Sequence, residues 1–248
     1  GTLDLVPVSS ERPETISLSH GTQVTDGDTG EDRPTEETYT EYHTKSNIFG
    51  SSGALEIPDS LVFPNSDRLL QQIESALHSN KHIIFTGPPG TGKTKLARHV
   101  ASHYMNSSFE MVTATADWST FDTIGGYRPA SDRTLDFHEG VFLDRFADAE
   151  GNPKNEWLII DELNRANLDE AFGEVFTLLD IDYRDREPIS YGDDETHLPL
   201  AFRILATMNS QDQAQLFSLG YAFRRRFGFV EVPSLLRSSE PTVDLPEP

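Results

Sequence analysis

From about residue 54 to residue 233, short apolar runs alternate with helical spacing, and polar, unpatterned stretches flank this region on both sides. The runs at 82–86 (HIIFT), 109–113 (FEMVT), 157–161 (WLIID), 202–208 (FRILATM) and 227–232 (FGFVEV) have the length and side chains of strands, and Trp157 to Ile160 read as a buried one. Apolar spacing near one helical turn predicts helices at 93–104, 134–149, 167–180 and 212–224. In the third of these, Leu168, Ala171, Phe172, Val175, Leu178 and Leu179 form the buried stripe. An earlier helix is expected in SDRLLQQIESALHS, with Ser66 as its cap and Leu69, Leu70, Ile73, Ala76 and Leu77 facing inward. Alternating strands and helices predict an α/β fold, a three-layer α/β/α core around a mostly parallel five-stranded sheet. The segment from Ile181 to Leu200 is too polar for a core and is expected to project as a hairpin or loop.

The flanks change the picture of organisation. Residues 1–53 are crowded with Ser, Thr, Asp, Glu and Gly and read as an acidic, unfolded linker. Residues 234–248 read as a flexible tail, which leaves 54–233 as the folded unit. The 41 acidic residues against 20 basic ones give a formal net charge of -21. Such a charge suits a salt-rich cytoplasm, where screening removes self-repulsion, or a surface for basic partners. It counts against direct DNA binding by this segment, which would need phosphate-neutralising cations. The chain has no cysteine, so disulfides and cysteine catalysis are excluded. No apolar run of membrane-spanning length and no signal peptide appear, so a cytoplasmic location is expected.

Candidate chemistry begins at Gly87-Pro88-Pro89-Gly90-Thr91-Gly92-Lys93-Thr94, which fits G-x-x-x-x-G-K-[ST] between a strand and a helix. The glycines let backbone N–H groups converge on phosphate oxygens, and the helix start adds a favourable dipole. Lys93 is expected to reach the β- and γ-phosphates, and Thr94 to offer its hydroxyl to magnesium. The strand WLIID brings Asp161 to its carboxyl end, the edge where open α/β sheets bind ligands. Asp161 is expected to hold magnesium through water, and Glu162 to polarise the attacking water. Arg165 either bridges to a neighbouring subunit or balances the acids beside it, and Asn167 reads as a helix cap. Asn209 ends another apolar strand, where its amide can orient water or sense the γ-phosphate. Asp212 is a helix cap or a second carboxylate of that water network. The run Arg224-Arg225-Arg226, placed between a short helix and the last strand, suggests an arginine finger reaching a neighbouring subunit's nucleotide.

GPPGTGKT (87–94), FDTIGGYRP (121–129), IIDELNRANLDEAFGEVFTLLD (159–180), ATMNSQDQ (206–213) and YAFRRRF (221–227) together resemble the AAA+ ATPase superfamily. Within it the chain is most similar to the McrB-like branch of restriction NTPases, over about residues 66 to 233. The MoxR group shares the phosphate loop and the acidic segment. The resemblance implies that Lys93 and Thr94 act as Walker A, Asp161 and Glu162 as Walker B and Asn209 as sensor 1. Asp212 would complete the MNxxD signature, and Arg224 and Arg225 would be the finger candidates. Gln213 stands where that signature continues with arginine, which leaves ATP or GTP open as substrate. The resemblance also implies Mg2+, a hexameric ring and an McrC-like nuclease partner, with Gly126–Pro129 facing the pore or that partner. No helical lid pattern follows Val232, so a truncated or atypical module is expected. A MoxR-like chaperone ATPase and a nucleotide-gated scaffold with little hydrolysis are the competing functions.

Overall fold

His82, Ile83, Ile84 and Phe85 are all fully buried, as they must be in a strand covered on both faces. The computed structural model describes residues 53–105, 108–131, 133–146, 154, 156–173, 175–184, 188–191, 194–209 and 221–234. Nearly all of the expected linker and tail therefore lie outside the described residues. Helix α1 (Ser66–His78) leads into β1 (His82–Gly87), followed by α2 (Lys93–Met105) and β2 (Phe109–Thr113). The short α3 (Thr120–Thr123) precedes an antiparallel hairpin of β3 (Gly125–Pro129) and β4 (Leu135–Glu139). A 3-10 turn (Leu143–Arg145) comes before β5 (Trp157–Asp161), and a second one (Leu163–Arg165) follows it. Three short helices, α4 (Leu168–Phe172), α5 (Val175–Leu178) and α6 (Ile181–Arg184), lead to a second hairpin of β6 (Ile189–Tyr191) and β7 (Asp194–Thr196). The chain then forms β8 (Ile204–Asn209), α7 (Tyr221–Arg226) and β9 (Phe227–Glu231).

The five expected strands form one sheet in the order β2-β5-β8-β1-β9, and every pairing in it is parallel. Strand periodicity sorts the core into two layers. Ile83, Phe85, Trp157, Ile159, Leu205 and Val230 face one way, onto Leu69, Ile73 and Leu77 of α1 and Leu96, Val100 and Ala101 of α2. Ile84, Leu158, Ile160, Ile204, Ala206 and Met208 face the other, onto Phe142, Phe146, Phe172, Val175 and Phe223. Each such large side chain contributes about 1.5–3 kcal/mol relative to exposure. The expected three-layer α/β/α core is thus the observed one.

Four local expectations fail, each for a physical reason. Residues 134–149 are not one helix: Leu135 and Phe137 alternate, and Phe137 stands directly opposite Tyr127 across the hairpin, with ring centroids 5.5 Å apart. The stretch 167–180 is broken at Gly173, whose φ of +44° closes α4. An added Cβ there would lie 2.4 Å from the Thr120 side chain, so glycine is required on two counts. Ser66 is the first residue of α1, whose N-cap is Asn65 in a left-handed conformation without a side-chain cap. Of the helix expected at 212–224, the residues before 221 lie outside the described set. Its arginines do not sit in a link to the last strand but form the last turn of α7.

The segment read as too polar for a core does form a hairpin, yet it sends Arg184 fully inside. Arg184 donates to the carbonyls of Leu178, Leu179, Pro199, Leu200 and Phe202, clasping both ends of the segment. Beside it lies His82, whose Nδ1 accepts the Ile204 N–H at 2.8 Å. Its Nε2 lies 2.8 Å from Arg184 Nη2 and 3.2 Å from the Leu179 carbonyl. Burial pushes His82 well below the usual 6.5, and the Arg184 and Arg203 guanidinium groups push it further.

Candidate functional site

Because the sheet is parallel, β1, β5 and β8 end at the same edge, carrying Gly87, Asp161 and Asn209 there. Gly87 and Asn209 are register partners. The loop from Gly87 through Pro88, Pro89, Gly90, Thr91 and Gly92 turns with positive φ at Gly90 (77°) and Gly92 (88°). The Thr91 hydroxyl ties the turn by donating to the Pro88 carbonyl at 3.0 Å. Helix α2 starts at Lys93, so its N-terminal N–H groups open onto this loop.

Lys93 is buried, and its ammonium donates to the carbonyls of Gly87 (3.0 Å) and Pro88 (2.7 Å) and to Asn209 Oδ1 (3.2 Å). Burial lowers its pKa, while Asp161 and Glu162 pull it back up. Thr94 donates its hydroxyl to Asp161 Oδ1 at 2.8 Å. A second hydroxyl, from Thr207 in β8, donates to the same oxygen at 2.6 Å and accepts the Glu162 N–H at 3.0 Å. Glu162 occupies the left-handed region (φ 54°, ψ 45°), so the chain kinks directly after Asp161. Its carboxylate pairs with Arg165 Nε at 2.6 Å, the charge-balancing of the two readings of Arg165. Asn167 takes the N-cap position of α4, but its amide donates to Glu170 at 3.2 Å.

Lys93, Thr94, Asp161, Glu162 and Asn209 are therefore brought to one edge, with direct bonds from Lys93 to Asn209 and from Thr94 to Asp161. Asp212 lies outside the described residues. The arginine run is placed elsewhere. α7 passes into Phe227, the partner of His82 at the start of β1, whereas the phosphate loop leaves from the end of β1. At the usual rise per residue the two are about 16 Å apart, on opposite edges of the sheet. Arg225 Nε lies 3.0 Å from Asp180 and its Nη2 lies 3.5 Å from Asp182. Arg226 stacks over the Phe176 ring at 4.4 Å, and Arg224 is exposed. Sequence reasoning missed Thr207; its one signal was a hydroxyl inside an apolar strand, two residues before Asn209, that had to find a partner.

The residues present suit a magnesium nucleotide. A cradle of turn backbone and helix start faces a lysine bonded to groups that phosphate oxygens can replace, beside a carboxylate held by two hydroxyls. Residues 82–227 match the family described as the AAA domain of the dynein-related subfamily. The chain is 34% identical over 191 residues to the Type IV methyl-directed restriction enzyme EcoKMcrB subunit of Escherichia coli (strain K12), covering 72% of this chain and 39% of that one. It is 31% identical over 193 residues to the Type II restriction enzyme BsuMI component YdiS of Bacillus subtilis (strain 168), covering 60% and 56%. The chain thus spans about two fifths to a little over half of these relatives.

Proposed function

The chain belongs to the AAA domain family, dynein-related subfamily, with McrB-like restriction subunits among its relatives, and from that membership we propose that it hydrolyses ATP or GTP with magnesium as the motor of a restriction-type complex. One observation carries the reading: Lys93, Thr94, Asp161, Glu162 and Asn209 meet at one sheet edge, with Lys93 bonded to Asn209 and Thr94 to Asp161. The loop from Gly87 to Gly92 cradles the polyphosphate, with the backbone N–H groups of Gly90, Thr91 and Gly92 and of the start of α2 as donors, and Lys93 exchanges its present partners for phosphate oxygens. Thr94 and Asp161 would hold magnesium, in part through water, and the metal would neutralise charge on the phosphates. Glu162 accepts a proton from the attacking water once its carboxylate leaves Arg165, and Asn209 orients that water.

The arginines act between subunits, since α7 lies on the far edge from its own phosphate loop. Arg224 is the finger, and Arg225 secures the helix that carries it through Asp180 and Asp182. Donation in trans needs a head-to-tail assembly, and a hexameric ring is the closed form proposed for it. Cleavage of nucleic acid belongs to an McrC-like nuclease partner, and the names of the two relatives support a restriction context. The β3–β4 hairpin, with Tyr127 and Leu135 exposed and Arg128 stacked on Phe121, offers that partner a contact surface.

The test is steady-state phosphate release with ATP and GTP in parallel, with magnesium and molar KCl. Release by the unaltered chain, abolished in Lys93→Ala, is the expected result. Glu162→Gln should bind nucleotide but turn over at least about 100-fold more slowly. Equal turnover in Glu162→Gln removes the catalytic assignment.

A further inference from the structure

Thr207 is almost fully buried in the middle of the sheet, yet its side chain is polar. A threonine hydroxyl has one proton and two lone pairs, and two of these are used on residues from a neighbouring strand end. The proton goes to Asp161 Oδ1 at 2.6 Å, and a lone pair receives the Glu162 N–H at 3.0 Å. We propose that Thr207 is the positioning residue of the hydrolytic pair, joining the carboxylate of Asp161 and the backbone of Glu162 into one unit. The inference rests on the hydrolytic reading above.

Two features of the geometry carry it. Glu162 sits at φ 54°, a conformation that side chains other than glycine rarely adopt, and its N–H is held there by Thr207. Without that acceptor the backbone is freed toward ordinary angles, which re-aims the carboxylate. Asp161 Oδ1 receives two hydroxyls, but they differ in kind. Thr94 belongs to the first turn of α2, directly after the phosphate loop, and its hydroxyl is the one magnesium would claim. Thr207 belongs to β8, which is held on both sides by β1 and β5, and not to the helix start that carries Thr94. It therefore keeps the Asp161 carboxylate oriented whatever Thr94 does. Its role is distinct from that of Asn209, two residues on, which bonds Lys93 instead.

Three variants of the full chain separate the hydroxyl from the shape. Thr207→Val keeps the volume and β-branching, Thr207→Ser keeps the hydroxyl, and Thr207→Ala keeps neither. Turnover, affinity for a fluorescent nucleotide analogue and the magnesium dependence of that affinity are measured for each. Val and Ala should lose about 10- to 100-fold in kcat with affinity at saturating magnesium within about 3-fold, and Ser should recover most of the rate. The magnesium concentration for half-maximal nucleotide binding should rise at least about 3-fold in Val and Ala only. Thr207→Val at the unaltered rate, or Thr207→Ser failing as badly as Val, overturns the proposal. If Val does not fold, Ala against Ser decides on the same criteria. If the unaltered chain binds nucleotide but releases no phosphate, the hydrolytic reading fails. The magnesium shift then decides alone whether Thr207 positions Asp161, and no shift overturns it.

Discussion

A lysine buried beside a turn of backbone must give its protons to something, and Lys93 gives them to Gly87, Pro88 and Asn209. Nucleotide binding is then an exchange of partners, worth less than the same contacts made from nothing. His82 shows the same accounting at the other end of β1. Its ring is neutral in the folded state, while in the unfolded chain it takes a proton near 6.5. Its folded value is depressed, so its contribution is complete above about 6.5 and is lost as the pH falls below that toward the folded value. Urea unfolding between pH 8 and pH 5 should therefore show a steeper acid-side loss in the unaltered chain than in His82→Asn, whose amide oxygen can still accept the Ile204 N–H. Identical slopes would contradict the assignment. Lys93 with Thr94, and Asp161 with Glu162, were legible because each pair sits in a short contiguous pattern, a glycine-rich turn after an apolar strand and acids at a strand end. Thr207 and His82 were not, because their partners come from other strands.

Elements differ in the same way. β1, β5 and β8 were legible because burial on both faces leaves continuous apolar runs, while the edge strands β2 and β9, only partly buried, were legible from their short β-branched and aromatic runs. Leu135, Phe137, Phe142 and Phe146 fit a helix almost as well as they fit what they form. Pairing with Gly125–Pro129 settled the matter, and that pairing is not written in residues 134–149. In 167–180 the helical stripe was read nearly correctly, since Ala171, Phe172, Val175, Leu178 and Leu179 are buried and Leu168 partly so, but Gly173 divides it. The two readings predict opposite signs for Gly173→Ala. In a continuous helix the change would stabilise by up to about 1 kcal/mol. With φ at +44° and the Thr120 side chain in the way, it should instead destabilise by about 1–2 kcal/mol, seen as a lower urea midpoint.

Over the whole molecule the telling fact is which edge of the sheet each group occupies. The phosphate loop and the arginine helix are adjacent in neither sequence nor space, and only the register of β9 on β1 reveals that they lie at opposite edges. Composition could not show this, and the sequence placed the arginines in a link rather than in α7. The trans reading makes Arg224→Ala and Lys93→Ala complementary. Each alone should be inactive, but mixing them joins an intact loop to an intact arginine at about a quarter of the interfaces. Phosphate release should therefore return on mixing, with a maximum near equal proportions. Silence at every ratio would mean that Arg224 does not act across an interface.

No residue intervenes between Arg226 at the end of α7 and Phe227 at the start of β9. Phe223 and Phe227 stack across that junction with ring centroids 4.3 Å apart. The arginine helix is thus a fixed arm on the strand that borders β1, and its reach from its own phosphate loop is a constant of the fold. Repeated head to tail, such an arm acts as the step of a staircase. If the steps sum to one full circle the assembly closes, and if they overshoot or fall short it climbs as a spiral. Whether the copies make a crown or a coil is then written in the angle of a single hinge that has no slack.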